Sequence, residues 1–151
     1  MSQSLVKNLI HLVYSTSHRM KWIPESVQSD LWAYQAGIFS QWDSRAVVIG
    51  GIEDHVHALF SLSKNYSLKK IVEEVKKSSS KWMKTSEGTG NKSFAWQKGY
   101  GAFSVSVSNL DSVQDYIRNQ LEHHRKFTFQ EELRSLFQKH QIDFNEQYLW
   151  K

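Results

Sequence analysis

The sequence contains no cysteine, which removes thiol chemistry and a disulfide framework from consideration and is compatible with a reducing compartment. It also lacks a long apolar run. The stretch Leu9 to Tyr14 is interrupted by His11 and is too short for a signal-peptide core or a membrane span. A soluble, cytoplasmic protein with no membrane partner is the expectation. No linker, repeat or low-complexity block divides the 151 residues, so they read as one domain, 1–151, able to bury about 68–70% of its unfolded surface without cross-links. Nor does one charge dominate: 19 basic against 15 acidic residues leave a formal net charge of +4. That balance suits a partner of opposite sign without establishing nucleic-acid binding.

What is present is a compact alternation of elements. Leu5 to Thr16 reads as a strand, and Pro24 suits the first turn of a helix whose stripe Leu31, Tyr34, Ile38, Trp42 carries it to about Trp42. Arg45 to Ile52 and His55 to Leu62 are rich in β-branched and alternating apolar residues around a tight Glu53-Asp54 turn, which predicts an antiparallel hairpin. Ser67 is a candidate N-cap for a helix in which Leu68, Ile71, Val75 and Trp82 recur at helical spacing. A polar loop, Thr85 to Lys92, leads to a strand over Ala102 to Ser108. Asp111 or Ser112 opens the next helix, and Phe129 to His140 forms the last. The order β-α-β-β-α-β predicts an α+β, ferredoxin-like (RRM-like) split βαβ fold. In it an antiparallel sheet carries two helices on one face and is followed by a helix bearing Tyr116.

Within that frame one pair of histidines stands out. Side chains alternate along a strand, so His55 and His57 project from the same face while Val56 turns into a core. Two adjacent imidazoles can chelate a metal, although an H-x-H pair on a half-exposed strand is more often plain surface. On the later helix Tyr116 and Gln120 are four apart and share a face, with His123 one turn further. His124 falls with Val113, Ile117 and Leu121 on the apolar stripe, which favours a structural role. Asp54 could orient a histidine from behind, or simply be a turn residue.

Taken together, Asp54-His55-Val56-His57, the segment Trp96-Gln97 to Ser106, Tyr116-Ile117-Arg118-Asn119-Gln120 and His123-His124 resemble the small transposases of bacterial and archaeal insertion sequences. These are HUH nucleases with one catalytic tyrosine that act on single-stranded DNA. The resemblance implies that His55, His57 and Gln120 bind one divalent ion, Mg²⁺ or Mn²⁺, and that Tyr116 is the nucleophile; none of the four positions departs from the pattern. It implies a 5′-phosphotyrosine intermediate, single-stranded DNA with hairpin ends as partner, and no nucleotide cofactor. It further implies a homodimer whose sites combine the histidines of one subunit with the tyrosine of the other. His123 is then a candidate for assisting proton transfer.

For DNA contact, Lys70, Lys77, Lys81 and Lys84 share one stripe of their helix, where a solvated face with Glu73 and Glu74 is the competing reading. Trp96 is the aromatic candidate for stacking on unpaired bases. Two other classes use parts of the same pattern. A non-catalytic nucleic-acid-binding module would need neither metal nor Tyr116. A small-substrate phosphoesterase is disfavoured because Leu59 stands where a third alternating histidine would extend the motif. A domesticated endonuclease that processes chromosomal hairpins would share all of the chemistry.

Overall fold

The computed structural model of the protein describes residues 2–149. Four strands, β1 (Leu9–Ser15), β2 (Ala46–Ile52), β3 (His55–Ser61) and β4 (Gly101–Val105), make one antiparallel sheet in the order β2-β3-β1-β4. Helix α1 (Glu25–Gln41) joins β1 to β2, and α2 (Leu68–Met83) joins β3 to β4. This is the split βαβ arrangement that the element order predicts. Ser67 caps α2, its hydroxyl accepting from the Lys70 amide at 3.1 Å, a contact worth about 1 kcal/mol.

Two strands are shorter than their sequence patterns. The first begins at Leu9 rather than Leu5, and Leu5 is 81% exposed. The fourth ends at Val105, which pairs with Leu9; beyond it β1 offers no further partner, and Val107–Asn109 form a 3-10 turn instead. Strand propensity without a neighbour to bond does not hold the chain extended.

The alternation of β1 and β3 divides two cores. Ile10, Leu12 and Tyr14 join Val56, Ala58 and Phe60 in the main core, where Leu31, Ile38, Ile71 and Val75 of α1 and α2 close over them. The other face carries His11, Val13, His55 and His57. It is covered as well, since every residue of β1 is buried. The cover is α3 (Leu110–Arg118), α4 (Gln120–His124) and α5 (Phe129–Lys139), with Phe129, Leu133 and Phe137 packed against Val13 and Phe103. A final turn of helix, α6 (Glu146–Leu149), is tied back where Glu146 accepts two hydrogen bonds from Arg134 at 2.7 and 3.0 Å. Among the described residues no helix is long and apolar enough to cross a membrane.

Gly50 in β2 decides how closely the tyrosine helix approaches. A Cβ there would stand 2.7 Å from the Ile117 carbonyl oxygen, so any larger residue would lift α3, and Tyr116 with it, from the sheet.

Candidate metal and nucleophile site

His55 and His57 are fully buried between the sheet and the second layer of helices. Their Nε2 atoms point toward one carboxylate, Glu132 of α5: His57 Nε2 lies 2.9 Å and His55 Nε2 3.5 Å from its Oε1. His124 Nε2 stands 3.1 Å from the same oxygen. The ligand atoms of His55, His57, His124 and Glu132 all lie within 4.8 Å of one another. The Gln120 Oε1 joins them, 3.1 Å from His55 Nε2 and 3.1 Å from His124 Nε2.

What lies behind each imidazole shows what the centre requires. His55 Nδ1 faces Asp54 Oδ1 at 2.8 Å, and His124 Nδ1 faces the Phe127 carbonyl at 2.8 Å. Both partners only accept, so each Nδ1 carries the proton and donates it, and in the neutral ring each Nε2 is bare. Two bare nitrogens then face the oxygens of Gln120 and Glu132, which is repulsive unless a cation or an added proton lies between them. His57 is held from behind by His11, whose Nε2 is 2.8 Å from His57 Nδ1. Three nitrogens and a hard carboxylate oxygen, each nitrogen oriented through its other ring atom, suit a divalent metal. The fit rests on this donor set.

The charges are arranged accordingly. Burial pushes the Glu132 carboxyl up, but the charges and hydrogen bonds of His57 and His124 outweigh it and hold the group well below the carboxylate range. Burial pushes His124 down, yet its hydrogen bond and charge contact with Glu132 leave it raised overall. His57 and His11 are lowered, chiefly by burial.

The second oxygen of Glu132 serves the tyrosine. The Tyr116 hydroxyl donates a short hydrogen bond to Glu132 Oε2, and the phenol ring stands 5.7 Å from the His57 ring. Burial first, then the Glu132 charge and hydrogen bond, push the phenol far above its ordinary range. His123 Nε2 is 3.2 Å from Glu132 Oε2 but off the line of a hydrogen bond. One carboxylate therefore bridges the histidine cluster and the hydroxyl. Within the one chain described, Tyr116 sits beside His57.

The helix that carries Tyr116 and Gln120 is not continuous. It breaks at Asn119 (φ −98°, ψ 26°), and Gln120 opens α4. Gln120 stays linked to the tyrosine across the break, its Nε2 donating to the Tyr116 carbonyl at 3.3 Å. His124 keeps the inward direction of the Ile117 stripe and reaches the cluster, whereas Leu121, on the same stripe, is 61% exposed beyond the break.

Residues 4–120 match the family described as IS200-like transposases. The chain belongs to that family. Membership makes it a transposase, a DNA-processing enzyme of recombination. The match ends at Gln120, so His124 and Glu132 lie beyond it. Two solved structures share the fold. One is a protein of Deinococcus radiodurans R1 described as a transposase, with TM-score 0.59, 21% identity, and coverage of 80% of this chain and 96% of that one. The other is a REP-associated tyrosine transposase bound to a REP hairpin, with TM-score 0.58, 14% identity, and coverage of 82% and 74%. A comparison with the curated proteins gives no match.

The DNA-contact candidates of this transposase are not gathered at the cluster. Helix α2 covers the opposite face of the sheet, and there Lys70 and Lys77 both bond Glu74 Oε1, at 3.0 and 3.3 Å. Lys77 and Lys81 are exposed, and Lys84 is half-buried. Trp96 is only 8% exposed; it packs edge-on against Tyr14 and Phe94, and its Nε1 donates to Ser79 Oγ at 3.0 Å. A ring so enclosed offers no face to a base, which corrects the stacking expectation. Its neighbour Gln97 is structural too, its Oε1 accepting from the Ser15 amide at 2.7 Å.

Because Asp54 holds His55 from behind, its removal has a defined signature. Asp54→Ala should leave the fold intact and weaken Mn²⁺ binding by about 10–100-fold, read by calorimetric titration. An unchanged affinity would reduce Asp54 to a turn residue.

Proposed function

We propose that this transposase cuts and rejoins single-stranded DNA through a 5′-phosphotyrosine on Tyr116, at a centre built from His55, His57, Glu132, His124 and Gln120. The observation that carries the reading is the Glu132 carboxylate, one oxygen turned to the three imidazoles and the other to the Tyr116 hydroxyl. A divalent metal held by this set would polarise the phosphate and offset the Glu132 charge that disfavours ionisation of the phenol. The chain's own residues do the rest. Asp54, His11 and Phe127 fix the ring orientations. Glu132 holds the hydroxyl by its proton, which leaves the lone pairs of the oxygen free to attack. The layer of α3 to α5 keeps water from the cluster. Attack forms the Tyr116 O–P bond and breaks the P–O3′ bond; the reverse reaction by a 3′-OH rejoins strands without ATP.

The direct test offers single and double strands from the DNA flanking the encoding gene, with and without Mn²⁺. A denaturant-stable adduct should form on single strands alone and only with metal. Failure to form it under any condition would remove the catalytic reading and leave a binding module.

Hairpin recognition and a homodimer belong to the same proposal. Strand β4 is an edge of the sheet, where a second copy could add its own strand. Because Tyr116 meets His57 within one chain, each copy would carry its own site. Co-expression of His57→Ala with Tyr116→Phe is therefore expected to give no recovered cleavage, while recovery to a sizeable fraction of wild type would establish a shared site.

The lysine stripe of α2 is proposed as the phosphate track. Neutralising Lys70, Lys77 and Lys81 together should weaken single-strand binding and flatten its salt dependence by roughly two units of slope, at about 0.7 per lost contact. A slope equal to wild type would return these lysines to Glu74 and solvent.

A further inference from the structure

Strand β4 and helices α3 and α5 enclose a cavity of about 560 Å³. Its wall includes Tyr116, Glu132 and His123 but none of His55, His57, His124 or Gln120. It therefore flanks the cluster on the tyrosine side. Two ring pairs stand in it: His140 is stacked on Phe103 at 4.5 Å with planes 24° apart, and His123 on Phe127 at 5.1 Å and 29°. Ser112, Ser135 and Asn109, all exposed, add short polar groups, and Lys139 adds a cation that offsets one of the two wall carboxylates, Glu131 and Glu132. Aromatic faces and small hydrogen-bonding groups in a space of this size form a pocket for a nucleotide, in which a base stacks while its edge is read.

We propose that this cavity receives the nucleotide immediately 3′ of the cleaved bond, the one that keeps the phosphate on Tyr116, with its base against His140 and Phe127. This rests on the strand-transfer reading above. The side is set by the reaction. In an in-line displacement the attacking and departing oxygens stand on opposite sides of phosphorus. As the Tyr116 O–P bond forms and the P–O3′ bond breaks, the phenol gives up its proton and the 3′-oxygen takes one up. The strand ending in that 3′-OH departs away from Tyr116, so a pocket walled by Tyr116 itself is left to the nucleotide that stays. Filling it gives this transposase a base preference next to the cut that is made by protein, independently of hairpin binding. It also holds the covalent strand in place until a new 3′-OH arrives.

The probes are the four deoxynucleoside 5′-monophosphates, with deoxyribose 5-phosphate as the control without a base, titrated into the Tyr116→Phe protein by NMR. At least one nucleotide should bind about tenfold more tightly than the sugar phosphate, a margin in the range of one stacked base. Adding His140→Ala, or Ser135→Trp to fill the space, should each bring it down to the sugar phosphate, with circular dichroism and Mn²⁺ affinity unchanged. Equal binding of nucleotide and sugar phosphate, or binding indifferent to both changes, would overturn the pocket even while wild-type protein forms its DNA adduct. Absence of any adduct from wild-type protein marks the separate failure of the strand-transfer reading and takes the pocket's assigned role with it.

Discussion

Tyr116→Phe is expected to fold, to bind single-stranded DNA with wild-type affinity and Mn²⁺ with near wild-type affinity, and to form no covalent adduct at all. Only one oxygen is removed. Its hydrogen bond to the charged Glu132 contributes about 1.5–3 kcal/mol to stability, too little to unfold a domain whose second core rests on Phe129, Leu133 and Phe137. Glu132 keeps His57 and His124 as partners, so the cluster should hold its shape. The measurement is a denaturing gel of labelled oligonucleotide with Mn²⁺, beside a binding isotherm without it. An adduct that survives in the Phe variant would move the nucleophile elsewhere, and lost DNA binding would mean that the phenol recognises substrate rather than attacks it.

The second large effect concerns the ligand set, where the resemblance and the folded chain emphasise different residues. His55→Ala and His57→Ala should each lower Mn²⁺ affinity by more than about 100-fold, beyond the range for residues acting from behind the ligands. Glu132→Ala should match them, since it removes the centre's anionic oxygen, and Glu132→Gln should retain the shape while still losing most of the affinity. Gln120→Ala and His124→Ala should lose less, because a neutral amide oxygen or one imidazole among three is more readily replaced by water. Titration calorimetry on the six variants decides the matter. Wild-type affinity in Glu132→Ala would restrict the set to His55, His57 and Gln120, with Glu132 as the tyrosine's partner alone. Wild-type affinity in both His55→Ala and His57→Ala would reject a metal centre between these strands.

Much of this protein is determined by local pattern. Alternation along residues 9–15 and 55–61, together with helical spacing in residues 25–41 and 68–83, is enough to specify the order of elements along the chain and to place His55 and His57 on one face, because strand period and the short turn at Glu53-Asp54 leave little freedom. The family follows from the same local signals, since the His55-Val56-His57 strand and the tyrosine with its Gln120 are short motifs in a set order. Tertiary structure decided what those motifs meet. Glu132 lies in a helix 75 residues from His57, and no period or spacing links the two. Its one local sign is a carboxylate set into the stripe of Phe129, Leu133, Leu136 and Phe137, where burial in water's absence is costly unless cations wait opposite. His11 was hidden in the same way, reading as an interruption of an apolar strand until β1 and β3 paired. The break at Asn119, beyond which Leu121 is 61% exposed, is likewise invisible to a periodicity that assumes an unbroken helix. Trp96 shows the reverse: its chemistry suits a base-stacking platform, but the fold spends it in the core against Tyr14. Residue type and period determine which face a side chain takes; only the packing of distant elements decides which groups share a desolvated space, and the chemistry of this site depends on that sharing.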